Sequence, residues 1–137
     1  MTASDVPAVA ELTQQLGYEV GPQDIAYRYK ELVDVVGSVV LVAEESGDIV
    51  GWIQALDRVL LQEKRVLEIG GLVVDTRRRG EGIGASLVEA IAEWARQIGH
   101  TTLFVRSNVA REGAHDFYPA LGFVHQKTSH TYVMELE

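Results

Sequence analysis

The first part of the chain carries apolar residues at helical spacing. Val6, Val9 and Leu16 fall on one face of a predicted helix that starts near residue 5 and that Gly17 ends. A second short helix is predicted over about residues 23–35, because a Gly-Pro pair precedes it and a glycine follows it. We therefore expect two helices before the first strand.

A β-type pattern follows these helices. Strands are predicted over about residues 38–45, 49–61 and 66–74, joined by turn residues at 46–48 and by a polar turn at 62–65. Because both connections are short, the three segments are expected to be consecutive hairpin strands.

The period then changes to that of a long helix. Ile83, Leu87, Ile91, Trp94 and Ile98 make one apolar stripe on a helix of about 17 residues, which a glycine ends. The rest of the chain is predicted as a strand, a short helix and two last strands, over about residues 101–107, 111–121, 123–126 and 129–135.

This order of elements predicts a single α/β (α+β) domain over residues 1–137. Hairpin strands together with one strand–helix–strand crossover imply a mixed, mostly antiparallel central sheet of about six strands, flanked by about four helices. The composition, with 47% apolar and 23% charged residues, is that of a globular protein rather than a disordered chain. No apolar run approaches the roughly 20 residues of a membrane span.

Composition and charge narrow the function further. The chain has no cysteine, which excludes disulfides, thiolate metal sites and a cysteine acyl-enzyme, and which fits a cytoplasmic location. Its four histidines form no metal-binding pattern, so no metal is expected. The net charge is −8, and the only dense basic cluster is the arginine triplet 77–79. A small phosphorylated ligand is therefore expected rather than a nucleic acid. The acidic remainder favours either a cationic substrate or simply solubility.

Gly80, Gly82 and Gly84 lie at alternate positions between the third strand and the long helix, directly after these arginines. Glycine lets a backbone approach a ligand, and the first N–H groups of a helix attract anions, so the segment predicts a pyrophosphate site. A Walker A ending is missing. The dinucleotide pattern G-x-G-x-x-A is met with Ala85, but the acidic residue about 20 positions later and the length for that fold are both missing.

Arg79-Gly80-Glu81-Gly82-Ile83-Gly84 resembles the acetyl-CoA signature of the GNAT N-acetyltransferase superfamily, Arg/Gln-x-x-Gly-x-Gly/Ala. Leu72-Val73-Val74-Asp75 precedes it at the usual distance, residues 107–118 resemble the family's next segment, and Leu121-Gly122-Phe123 resembles its ending. The match covers about residues 68–123 and implies the GNAT fold. The family's strand before the first helix is barely present in residues 1–3, so we expect it to be short, absent or truncated.

The resemblance implies direct transfer of an acetyl group from acetyl-CoA, the acyl-donor substrate, to the primary amine of a small molecule in a ternary complex. It also implies that Asn108 bonds the CoA arm, although a helix N-cap needs the same residue type. Tyr118 matches the tyrosine that protonates the CoA thiolate, and its alternative is a packed aromatic ring. The full set of implied acetyl-CoA contacts is Leu72, Val73, Val74, Arg79, Gly80, Glu81, Gly82, Ile83, Gly84, Ala85, Asn108 and Tyr118.

The amine's proton is the larger chemical problem. An alkylamine of pKa about 10.4 needs roughly 4–5 kcal/mol to be neutral at pH 7, whereas a thiol of pKa near 8.5 needs about 2 kcal/mol to leave as thiolate. Glu68 is the candidate base, acting directly or through water, and the alternative is a strand carboxylate in solvent. A regular strand would put Glu68 on the same face as Leu72 and Val74. In the family a bulge is common here, and we expect it at Gly70-Gly71, where it would free N–H groups around Leu72 and Val74.

Two other functions stay open at this point: a non-catalytic module that binds acetyl-CoA as a signal, and a protein or peptide N-acetyltransferase. The segment around residues 108–118 resembles members that acetylate antibiotics and small amines, so an aminoglycoside or a polyamine is a candidate acceptor. Tyr27, Tyr29 and Trp52 either line a substrate pocket or pack in the core. No membrane partner is expected, and a homodimer is neither indicated nor excluded.

Overall fold

The computed structural model describes residues 1–108 and 112–136. The chain divides into two compact units, Met1–Arg106 and Ser107–Glu137. The first unit contains, in order, a 3-10 helix (Ala3–Asp5), α1 (Val6–Gln15), α2 (Pro22–Leu32), β1 (Ser38–Glu45), β2 (Asp48–Arg58), β3 (Val66–Val74), a second 3-10 helix (Thr76–Arg78), α3 (Ile83–Gln97) and β4 (Leu103–Val105). The second unit contains α4 (Glu112–Ala120).

The four strands form one sheet in the order β1-β2-β3-β4. The first two pairings are antiparallel, and β3 pairs with β4 in parallel, with α3 as the crossover between them. The predicted α/β architecture with a mixed, mostly antiparallel sheet is therefore confirmed, although the sheet has four described strands and not six.

The helices α1 and α3 cover opposite faces of the sheet. Trp52 on β2 packs in a buried cluster with Val9 and Leu12 of α1. The neighbouring Gly51 faces α3, because a Cβ there would lie 3.1 Å from Cδ1 of Leu87. Successive strand residues point to opposite faces, so even positions on β2 from Trp52 onward face α1 and odd positions face α3.

The strand β3 carries a bulge at the expected place. Gln54 on β2 pairs with Gly71 and the next residue, Ala55, pairs with Ile69, which leaves Gly70 as an extra residue on β3. This confirms the prediction of a bulge at the glycine pair. One extra residue in a strand exchanges the faces of all positions beyond it.

The bulge therefore separates Glu68 from the residues that follow it. Glu68 lies opposite Leu56 and shares the α1 face, whereas Leu72 lies opposite Ile53 and Val74 opposite Gly51, both on the α3 face. The shared face that a regular strand would give these residues does not exist in the folded chain.

The C-terminal end differs from the prediction, whereas the absence of a strand before α1 is one of the expected alternatives. Residues 123–126 and 129–135, expected as strands, have no regular secondary structure, because alternating residues alone supply no hydrogen-bonded partner strand. No strand precedes α1 among residues 1–5. Instead, the ammonium group of Met1 donates to the Val40 carbonyl on β1 at 3.2 Å, and the Tyr29 hydroxyl donates to the Met1 carbonyl at 2.8 Å.

The prediction of the long helix was correct for its length but wrong for the face that is buried. Its buried residues are Gly84, Leu87, Val88, Ile91 and Ala95, so the stripe is rotated away from Trp94, which is half-buried. Ile98 lies just past the end of α3 and is 47% exposed. Among the described helices, none combines the length and the apolar character that crossing a membrane requires.

The contact between Gly71 and Trp52 leads to a first prediction. A Cβ at Gly71 would lie 2.8 Å from Cη2 and 2.9 Å from Cζ3 of the buried indole. We expect Gly71→Ala to lower the free energy of unfolding by about 1–3 kcal/mol, because the ring must shift within a packed core. Urea denaturation measures this. The control is Gly113→Ala in α4, where a Cβ meets nothing within 4 Å among the described residues. Equal midpoints for wild type and Gly71→Ala would contradict the contact.

Candidate active site

The turn between β3 and α3 requires glycine for its backbone conformation. Gly80 and Gly82 both have φ of +83°, in the left-handed region that other residues rarely adopt. No described atom lies within 4 Å of a Cβ built at either position. The space beside these two glycines is therefore open to a ligand.

The N-terminus of α3 has no side-chain cap. Gly82 is the N-cap, and the N–H of Ser86 donates to the Gly82 carbonyl at 3.0 Å as the first bond of the helix ladder. The amides of Ile83, Gly84 and Ala85 precede that bond, so they have no carbonyl of their own helix four residues back. Together with the helix dipole, these amides make a site that fits the diphosphate of a coenzyme.

Two of the three neighbouring arginines are already paired with carboxylates. Arg77 donates to Asp75, with Nη2 2.8 Å from Oδ2, and Arg78 donates to Glu81 at 2.9 Å and to Glu45. Both arginines line a cavity of about 560 Å³ that α1 also lines. Carboxylates thus neutralise two of the three arginines in the triplet.

Arg79 is the exception in this triplet. Its Nε donates to the Val74 carbonyl at 3.4 Å, and no carboxylate contacts its guanidinium within the described part of the chain. Arg79 thus remains exposed beside the end of β3, and it is the arginine that can bind an anionic ligand at this turn.

Asp75 clamps the chain just before the turn. The carboxylate is 5% exposed and accepts hydrogen bonds from the backbone N–H of Arg77 at 3.0 Å and from its side chain. Hydrogen bonds from Arg77 lower the pKa of Asp75 from 3.8 to about 2, and the bond from the Arg77 side chain has a larger effect than the bond from its backbone N–H. The N–H of Thr76 donates to Oε1 of Gln15 at 2.9 Å, which ties the same segment to α1.

The edge of β3 that faces β4 is open beyond the bulge. Pairing between the two strands ends at Ile69 and Val105. The N–H of Asp75 donates to the Val50 carbonyl at 2.8 Å, and hydrogen-bonded pairs alternate along an antiparallel ladder. The N–H and C=O groups of Leu72 and Val74 therefore point away from β2, and within residues 1–106 no strand pairs with them.

Glu68 lies at the point where β3 and β4 separate, in a cluster that we call the fork cluster: Glu68, Arg58, Phe104 and Arg106. The Glu68 side chain is 12% exposed, and its Oε1 accepts a hydrogen bond from Nε of Arg106 at 2.9 Å. Nη1 of Arg58 lies 3.9 Å from the same oxygen. The guanidinium carbons of Arg58 and Arg106 lie 4.4 Å and 5.9 Å from the centre of the Phe104 ring.

The alternative of a solvent-facing strand carboxylate is thus wrong for Glu68. Its Oε2 has no partner among the described residues, so this oxygen can accept a hydrogen bond from a ligand or a water. The other three members of the fork cluster were not predicted. Phe104 on β4 and Arg106, one residue past its end, have the spacing of two residues on one face of a strand, but only the register of β3 against β4 brings them to Glu68.

Tyr118 and Asn108 belong to the second unit. Tyr118 lies in α4, where its ring packs edge-on against Phe117 and Phe123 at centroid distances of 5.0 Å and 5.5 Å. Asn108 lies outside regular secondary structure. Residues 109–111 of the family-like segment fall outside the described residues.

The contacts of the other candidate residues do not indicate a binding site. Trp52 is a core residue and Tyr29 bonds the N-terminal residue, as described above, whereas Tyr27 is 66% exposed. Nε2 of His125 lies 3.3 Å from the Thr128 hydroxyl, and the His130 ring lies 6.3 Å from that of Tyr132.

Comparison with known proteins identifies what this arrangement resembles. A model of the acetyltransferase (GNAT) family matches residues 6–123. N-acetyltransferase 8 of Rattus norvegicus is 32% identical over 111 residues, which is 80% of this chain and 49% of that protein. N-acetylaspartate synthetase of Rattus norvegicus is 31% identical over 98 residues, 72% of this chain and 32% of that protein. The chain thus spans half or less of the length of these relatives.

A solved structure supports the fold. Aminoglycoside N-acetyltransferase AAC(6')-Iy, in complex with CoA, matches with a TM-score of 0.87 at 16% identity, covering 99% of this chain and 92% of that chain. At this identity the similarity establishes the fold, and it confirms the α/β architecture that was predicted.

The clamp at Asp75 generates a second prediction. Because its folded pKa is depressed to about 2, the carboxylate stabilises the fold above pH 4, and this contribution is lost as the pH falls through the folded pKa. We expect Asp75→Asn to lower the urea midpoint at pH 7, and the difference from wild type to shrink steadily between pH 4 and pH 2. The control is Asp34→Asn, an exposed carboxylate outside every described ion pair. A difference that does not depend on pH would show that the charge of Asp75 is unimportant.

Proposed function

Because this chain belongs to the GNAT acetyltransferase family, whose members use acetyl-CoA as acyl donor, we propose that it acetylates the primary amine of a small molecule. The observation that carries the proposal is the uncapped N-terminus of α3 next to the open edge of β3. The N-terminus of α3 suits a diphosphate, and the open edge of β3 suits an extended arm with amide groups. Acetyl-CoA supplies an acetyl thioester that an amine attacks directly.

We infer that the donor's diphosphate is bound by the amides of Ile83, Gly84 and Ala85 and by the guanidinium of Arg79. The open space beside the left-handed glycines supports this, since side chains there would compete with the ligand for the amides. The neighbouring positions expected to contact the donor, Gly80, Glu81 and Gly82, belong to the same turn.

The arm of the donor would extend the sheet at the open edge of β3. The outward N–H and C=O groups of Leu72 and Val74 can bond an amide-containing chain as an added strand would, with Val73 between them. An N–H group directed at the thioester oxygen would also stabilise the negative charge that develops there during attack.

The protons are handled by two groups in this proposal. Glu68 takes the proton of the acceptor ammonium, directly or through a water, and its free Oε2 is the atom that supports this role. Tyr118 gives a proton to the departing thiolate. That role rests on the family resemblance, as does the contact between Asn108 and the CoA arm.

A small acceptor is favoured over a protein. Two of the similar proteins carry names of small molecules, N-acetylaspartate and aminoglycoside. A cytoplasmic location, expected from the lack of cysteine, is part of the same proposal, and the number of copies that assemble stays open.

Donor binding can be tested at the glycine turn. We expect Gly82→Trp to abolish acetyl-CoA binding in calorimetry, because the indole occupies the space in front of the α3 amides. Gly47→Trp is the matched control, since Gly47 has a φ of +87° and equally open surroundings but lies in the β1–β2 hairpin. The donor site is misplaced if both variants bind acetyl-CoA as wild type does, or if both lose binding equally.

Activity can be tested by following free CoA thiol with acetyl-CoA and a panel of primary amines. We expect thiol to appear only when an amine is present. Glu68→Gln should lower kcat about 100-fold and make the rate rise more steeply with pH, because the amine must then lose its proton in solution. Tyr118→Phe should lower kcat with acetyl-CoA affinity unchanged.

The controls for these two variants are Glu89→Gln and Tyr18→Phe, both exposed side chains of the first unit. A wild-type pH profile in Glu68→Gln removes Glu68 from the proton path. Acetyl-CoA binding without thiol release for any amine would instead favour the non-catalytic module.

A further inference from the structure

The fork cluster has both hydrogen-bond donors and a hydrogen-bond acceptor that are unused. Arg106 is 63% exposed and uses only Nε to bond Glu68, so its Nη1 and Nη2 groups have no acceptor among the described residues. Oε2 of Glu68 is likewise without a donor in that part of the chain. Two free Nη groups of one guanidinium therefore lie close to one free carboxylate oxygen.

The charges of the cluster are already balanced. Arg58 is paired with Glu63, and Arg106 is paired with Glu68. An acceptor that carries only a positive charge and approaches Glu68 also approaches the guanidinium of Arg106, which repels it. An acceptor that carries a negative group beside its amine avoids this repulsion.

The geometry of the pair matches such a molecule. Guanidinium Nη groups bind a carboxylate in a bidentate manner, and a carboxylate oxygen accepts from an ammonium. The Phe104 ring beneath both arginines restricts the positions that their guanidinium groups can adopt. An α-amino acid, with its ammonium and carboxylate on one carbon, satisfies both free sites together.

The cluster is also close enough to the donor site. Glu68 and Leu72 are four residues apart on β3, so they are separated by at most about 13 Å along the strand, and less across the bulge. An acceptor at the fork cluster is thus next to the open edge where the arm of the donor is proposed to bind.

We propose that Arg106 binds the carboxylate of the acceptor, so that the enzyme acts on α-amino acids rather than on purely cationic amines. This inference rests on the proposed acetyl transfer. In that reaction the ammonium loses one proton to Glu68, and the amine nitrogen bonds to the acetyl carbon as the carbon–sulfur bond breaks. The second nitrogen proton is released to solvent, the thiolate takes a proton from Tyr118 and leaves as thiol, and Tyr118 regains a proton from solvent.

The test compares acceptors that differ only in the carboxylate. Thiol release is measured with a panel of L-amino acids, each beside its amide and its decarboxylated amine, for example L-phenylalanine, L-phenylalaninamide and phenethylamine. We expect kcat/KM of wild type to be at least tenfold higher for the acids. Arg106→Gln should raise KM for the acids about 10- to 100-fold more than it raises KM for the matching amides, because only the acids lose a carboxylate contact.

Calorimetry gives a readout that does not depend on turnover. The preferred acid should bind CoA-saturated wild type and bind Arg106→Gln at least tenfold more weakly. The matched control is Arg96→Gln, an arginine that contacts only Glu89 and Glu93 on the surface of α3 among the described residues. It should behave as wild type.

The outcomes separate the two proposals. Amines acetylated without a preference for acids, or equal losses for acids and amides in Arg106→Gln, overturn the role of Arg106 and leave the acetyl transfer standing. Equal losses for acids and amides would mean that Arg106 only positions Glu68. Release of thiol with no amine at all overturns the proposed function and this inference with it.

Discussion

The proposed site depends on one extra residue in one strand. Gly70 has no partner on β2, and this bulge exchanges the faces of β3 on its two sides. Before it, Glu68 faces α1 and β3 pairs with β4. After it, Leu72 faces α3 and the edge of the strand is free. In a regular strand, Glu68 would share a face with Leu72. The bulge instead gives an open strand edge and, a few residues away, a separate charged cluster.

The turn after β3 is the proposed anion site of an otherwise acidic chain. Carboxylates of Asp75, Glu45 and Glu81 neutralise two neighbouring arginines and fix the backbone that carries them. The positive potential that remains comes from the exposed Arg79 and from the uncapped amides of α3. In the proposed complex, the fixed amides would bind the diphosphate without a loss of side-chain entropy.

The sequence was sufficient for the local features and insufficient for the long-range ones. Periodicity located α3 to within about two residues, and glycine spacing identified the turn, because both depend on neighbouring residues. The partners of Glu68 depend on the register between strands that are far apart in the chain, which no local pattern encodes. The prediction of two last strands was wrong for the same reason, because alternation of residues around Val133 predicts a strand but not a partner for it.

The indole of Trp52 has a consequence for how the protein can be observed. Its six-membered ring rests against the backbone of Gly71, one residue past the bulge, and the side chain is almost fully buried. The only other tryptophan, Trp94, lies on α3. Replacing Trp94 with phenylalanine would leave a single tryptophan packed on the strand whose edge is open, so tryptophan emission would report movement of that backbone without any added label.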